Sequence, residues 1–164
     1  MKLLPKQPRP KKLKLQNKRQ IRAQFGALCL RQVDMKIEVL LITTRKSRRW
    51  TIPRGWPVNG LTPAQSAATE AWEEAGVRGK VRDDSIGVYT YQKTIGGRKE
   101  LRAVGVYLLE VTEISENFPE SKQRKRRWVS LKKAAKKVEE PELARIILQI
   151  AQTREMTLQE VSSL

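Results

Sequence analysis

Two short apolar runs open the ordered part of the chain, FGALCL within Gln24 to Arg31 and IEVLLIT within Lys36 to Thr43. Both are rich in strand-forming residues, and the polar stretch Gln32 to Asp34 between them makes an antiparallel pair. After them comes a basic segment, Thr44 to Gly60, with a short strand expected at Trp50 to Ile52. Thr62-Pro63-Ala64-Gln65 then places a capping threonine, a proline at the first helical position and a capping-box glutamine in succession. This predicts a helix over Pro63 to Ala75, with Ala64, Ala67, Ala68, Ala71 and Ala75 as a face small enough to lie close on a sheet and Gly76 as its stop. Gly87 to Thr94 and Leu101 to Thr112 read as a hairpin around Gly96-Gly97. Trp128-Val129 reads as a last strand, Ser130 as the cap of a short helix over Leu131 to Val138, and Pro141 as the opening of a final helix. In that helix Leu143, Ile146, Ile147 and Ile150 recur at helical spacing up to Ala151. Strands mixed with helices in this order predict an α/β (α+β) domain whose mixed sheet is covered on two faces.

The polar positions change that picture in three ways. Residues 1–20 carry eight Lys or Arg, three prolines and no acid, a composition that predicts a basic flexible arm before a domain at 21–152; residues 153–164 show no helical pattern and read as a tail. The full chain holds 34 Lys and Arg against 17 Asp and Glu, a formal charge of +17, so its partner is expected to be polyanionic: a phosphate-rich small molecule, nucleic acid through the arm, or an acidic surface. No apolar run approaches the roughly 20 residues of a membrane helix, and the start is Lys-rich where an organellar leader would be rich in Ser and Arg. Cys29 is the single cysteine and lies in an apolar run, so it reads as core and no intrachain disulfide forms. These features give the expectation of a cytoplasmic protein with no membrane partner.

The candidate chemistry sits on the first helix. Glu70, Glu73 and Glu74 stand at i, i+3 and i+4, so three carboxylates share one side. They also fall in the half of the helix where the macrodipole disfavours negative charge by roughly 0.3–1 kcal/mol per exposed group. A hard divalent cation would offset that, and with no histidine any metal must be held by oxygen; a solvated acidic face neutralised by nearby arginines would serve equally.

The segment GWPVNGLTPAQSAATEAWEEAGV resembles the Nudix box through Gly55, Glu70, Ala71, Glu73, Glu74, Gly76 and Val77. Leu61 and Thr69 replace the family's first Glu and its Arg, a pair that ordinarily bind each other, so neither partner is left as a stranded charge. The resemblance implies a Nudix-type α/β/α sandwich and a Mg²⁺- or Mn²⁺-dependent hydrolase of phosphoanhydride bonds. Glu70, Glu74 and the backbone carbonyl of Arg54 would ligate metal, with Glu73 as catalytic base and a possible further ligand. GALCLR, EVLLITTRKSRRWTIPRG, EEAGVRGKV and QRKRRWVSLKKA carry a further resemblance to the diphosphoinositol polyphosphate phosphohydrolase branch, whose members also cut diadenosine polyphosphates. The matching phosphate-binding candidates are Arg22, Arg45, Arg124 and Lys125, with Arg98 and Lys99 near the hairpin turn as further ones. The alternatives are removal of pyrophosphate from the 5′ end of RNA and a noncatalytic RNA-binding module of the same shape.

Overall fold

The computed structural model describes residues 21–162, with side chains as far as residue 154; the arm expected over residues 1–20 lies outside the described residues. The elements run β1 (Arg22–Val33), β2 (Lys36–Thr43), β3 (Trp50–Thr51), β4 (Arg54–Gly55), α1 (Pro63–Ala75), β5 (Val77–Ile95), β6 (Arg98–Ile114), β7 (Arg126–Ser130), α2 (Leu131–Lys137) and α3 (Pro141–Ser162). The strands form one mixed sheet in the order β3-β2-β1-β6-β5, with β4 paired to β1 and β7 to β2. Only the central β1–β6 pairing is parallel; the others are antiparallel.

The apolar runs of β1 and β2 are continuous because both sheet faces are covered, and successive side chains point to opposite faces. Leu28, Leu30, Val39 and Leu41 join the core beneath α2 and α3, where Leu143, Ile146, Ile147 and Ala151 close it. Their neighbours Ala27, Cys29, Leu40 and Ile42 face the other way, against Ala64, Ala67, Ala71 and Ala75 of α1. Methyl-sized side chains on that helix let it lie close enough to the sheet to hold its glutamates at a fixed depth. Cys29 is fully buried, which pushes its thiol up to about 12 and makes it inert filler.

The ends of α1 follow the expected chemistry. Thr62 accepts from the Gln65 amide while the Gln65 side chain accepts from the Thr62 amide. Gly76 ends the helix at φ 68, where the ring of Phe118 leaves no room for a Cβ.

Two elements are longer than their sequence pattern. β5 begins at Val77, well before the expected Gly87, and pairs with β6 through three register shifts. As an edge strand it needs no alternation of apolar residues, and bulges absorb its polar stretch Arg82-Asp83-Asp84-Ser85. The residues expected to form a tail instead continue α3 to Ser162. Once a helix is nucleated each further residue adds a backbone hydrogen bond, so α3 can run on through a stretch whose sequence shows no helical apolar period. Among the described residues no helix is long and apolar enough to cross a membrane.

Candidate active site

Where α1 meets the loop between β3 and β4, the Glu74 carboxylate is almost wholly enclosed. Its Oε2 accepts from the Arg54 backbone amide at 3.2 Å, and its Oε1 accepts from Arg124 Nη2 at 3.1 Å. One helical turn earlier, Glu70 lies across Gly55. A Cβ on Gly55 would stand 2.3 Å from that carboxyl group, so glycine is required there to let the acid approach the backbone.

Burial raises the proton affinity of both carboxylates, and neighbouring acids add to it. Burial pushes Glu70 up to about 8, with Glu74, Glu73 and Glu120 adding to the effect. Burial likewise lifts Glu74 to about 7, although Arg124 and the Arg54 amide pull it back and Glu120 pushes it up again. The linkage has a definite sign. Both groups hold protons in the fold that an unfolded chain releases from about pH 4.5, so metal-free stability is lost as pH rises through 7 and 8. In chelator, the thermal midpoints of the native protein and Glu70→Gln should therefore nearly coincide at pH 5 and separate by pH 8.5, with the variant higher; parallel curves would show that Glu70 carries no such load.

Glu120 is a fourth acid that the helical spacing could not reveal. Its amide donates to the Glu73 carbonyl at 3.0 Å, and its carboxylate lies 3.5 Å from both Arg124 and Arg45. The available signal was a lone acid immediately before the basic run Lys122 to Arg127.

The Arg54 side chain serves the scaffold. It donates to Thr51, Tyr89 and Glu140 at 2.9–3.1 Å and stacks on Tyr91 at 3.6 Å, which ties the loop to β5 and to the start of α3. Burial would lower its proton affinity, but Tyr89, Tyr91 and Glu140 outweigh that and hold the guanidinium charged. In place of the missing Glu–Arg pair, Ser66 Oγ accepts from the Val58 amide at 3.0 Å, Thr69 turns back onto the Gln65 carbonyl, and Leu61 points toward solvent.

A cleft of about 1300 Å³ opens over these groups, lined by Glu70, Glu74, Glu120, Arg45, Arg54 and Arg124 among others. Glu73 is exposed and lies outside the lining. Arg22 stacks on Trp56 at 4.7 Å beside Glu100, at the margin of the cleft. Arg98 and Lys99 lie exposed at the start of β6, next to the hairpin turn, and Lys125 is exposed with its backbone paired to Thr43; none of the three lines the cleft. Sequence reasoning also passed over Trp56, adjacent to the box glycine, and Lys93. The Lys93 ammonium is lowered by burial and by Arg102, Arg45, Arg54 and Lys46, so several cations converge there.

Among the described residues no three acids or thiols form a ready-made metal cage. The oxygen-only donor set nonetheless fits a hard cation such as Mg²⁺, which commonly takes one or two carboxylates and completes its sphere with water and substrate phosphates. Glu70 and Glu74, side by side and with no ion pair to Glu70 among the described residues, are such a pair.

A NUDIX domain profile matches residues 21–150, the span from β1 into α3. The chain is 34% identical over 107 residues to "Nudix hydrolase 12, mitochondrial" of Arabidopsis thaliana, covering 60% of this chain and 51% of the relative; it thus spans about half the length of that plant protein. It is 32% identical over 131 residues to "Diphosphoinositol polyphosphate phosphohydrolase 2" of Rattus norvegicus, covering 78% and 69%. In fold it is similar to a C. elegans Ap4A hydrolase crystal structure, with a TM-score of 0.58 at 21% identity over 81% of this chain and 98% of that one. With the box residues gathered where α1 meets the β3–β4 loop, and the matched span taking in the whole sheet and its covering helices, the chain belongs to the NUDIX family.

Proposed function

We propose that this chain hydrolyses phosphoanhydride bonds in diphosphoinositol polyphosphates or diadenosine polyphosphates, with Mg²⁺ or Mn²⁺ as cofactor. The observation that carries the reading is the Glu70–Glu74 pair, two adjoining carboxylates facing a cleft otherwise rich in guanidinium groups. Glu70, Glu74 and the Arg54 carbonyl would hold the cation, which when bound neutralises phosphate charge and makes water a better nucleophile. Arg45 and Arg124, both in the lining, would clamp non-bridging oxygens. The names of the rat and nematode relatives support this substrate range.

The proton acceptor is assigned to Glu73, with Glu70 as its rival because Glu70 faces the cleft and Glu73 does not line it. Comparing Glu73→Gln with the native protein at saturating Mg²⁺ separates the two. Turnover reduced by about 10²-fold or more with metal affinity retained supports Glu73; unchanged turnover transfers the role to Glu70. The reaction itself is tested by a substrate panel in Mg²⁺ and in Mn²⁺. Diphosphoinositol polyphosphates or diadenosine penta- and hexaphosphates should be cleaved faster than 5′-triphosphorylated RNA, and the reverse order would favour the RNA reading that the net charge of +17 keeps in view.

A further inference from the structure

The Arg124 guanidinium is buried in the place where the acidic cluster most needs a positive charge. Its side chain and that of Glu74 are each only 9% exposed and meet at 3.1 Å, while the same Nη2 lies 3.5 Å from Glu120. Nη1 donates to the Thr43 carbonyl at 3.2 Å, but Nε is buried with no acceptor. An enclosed donor without a partner marks an arrangement that gains by rearranging. The backbone beside it is secured independently, since the Lys125 amide donates to Thr43 Oγ1 and the Thr43 amide donates to the Lys125 carbonyl, both at 2.9 Å. The side chain can therefore move while the strand stays. Glu120 would keep a counter-charge if Arg124 left, because Arg45 lies 3.5 Å from it.

We propose that Arg124 is a built-in stand-in for the divalent cation: it occupies a Glu74 oxygen in the metal-free protein, is displaced when the cation binds, and then presents its guanidinium to the phosphates in the cleft. This rests on the metal-dependent reading above and extends it, because one side chain would then couple cofactor occupancy to anion capture. A residue that merely braced the cluster would weaken cation binding when removed. A competitor for the same oxygen strengthens it.

The decisive experiment titrates Mn²⁺ into the full chain at pH 8 without substrate, following free Mn²⁺ by electron paramagnetic resonance, for the native protein, Arg124→Gln and Arg124→Lys. Arg124→Gln should bind Mn²⁺ about tenfold more tightly, since a competing charge beside the ligand is gone, and Arg124→Lys should stay near native. KM for a polyphosphate substrate should move the opposite way and rise in Arg124→Gln. Equal or weaker Mn²⁺ binding by a folded Arg124→Gln overturns the proposal while leaving the metal-dependent reading intact, whereas a native chain that binds no Mn²⁺ removes both. Should the variants fail to fold, the native protein still decides: the Arg124 Nε–H resonance should shift and lose its solvent protection as Mg²⁺ is added, and a resonance unmoved at saturation overturns the exchange.

Discussion

Glu70→Gln should lower turnover by about 10³-fold while making the metal-free protein harder to melt. Glutamine keeps the shape of the side chain and removes its charge, so the fold loses the cost of burying that charge, and the lesser repulsion from its neighbours, which together lift Glu70 to about 8. Catalysis loses an anionic ligand whose share of charge stabilisation, about 4 kcal/mol, corresponds to that factor in rate. Opposite movements of activity and stability are the signature of a group held against local preference for the sake of function. The check is kcat at saturating Mg²⁺ beside thermal melting in chelator at pH 8.5. A variant that lost activity because it melted earlier would show Glu70 to be structural, and one that kept native turnover would remove it from the site.

The second large effect is expected from Gly55→Ala. The added methyl would stand 2.3 Å from the Glu70 carboxyl carbon and one of its oxygens, so the acid must withdraw from the backbone it lies against. The obstructing atoms are the far end of a flexible side chain, which can swing away at modest cost to the fold. Its ligating position cannot survive the swing, and a displacement of about 1 Å at a reacting centre can cost about 10²-fold in rate. Gly55→Ala should accordingly lose that much in kcat/KM, with a thermal midpoint close to native. The combination Gly55→Ala with Glu70→Gln should be hardly worse than Glu70→Gln alone, because both changes disable the same carboxylate. Full additivity would separate the glycine from the acid.

Gly55, Glu70 and Glu74 are legible in the sequence itself. The box spacing, the capping box at Thr62 and the alanine stripe set α1, and the apolar runs of β1 and β2 marked a pair of strands. What the pattern did not reveal was decided by long-range contact. Glu120 joins the site from a loop 46 residues beyond Glu74 in sequence and meets Arg45 of the distant loop after β2, and no local period connects these three. The polar half of β5 shows no element in the sequence because an edge strand need carry no alternation. The end of α3 looked like a tail because its sequence shows no helical apolar period, and a helix already formed needs none to continue. Arg124 illustrates a subtler limit: sequence resemblance pointed to it as a phosphate ligand, but only geometry pairs it with Glu74. Of the two readings of the glutamate cluster, neutralisation by arginine is seen at Glu74, and the cation site is the reading proposed above.

Turnover of a diadenosine or diphosphoinositol polyphosphate is measured against free Mg²⁺, using protein first stripped with chelator. Metal-dependent hydrolysis through Glu74 predicts activity that is absent in chelator, returns saturably with Mg²⁺ and is not restored in Glu74→Gln. Equal turnover with and without the cation, or a Glu74→Gln protein as active as the native chain, would contradict it.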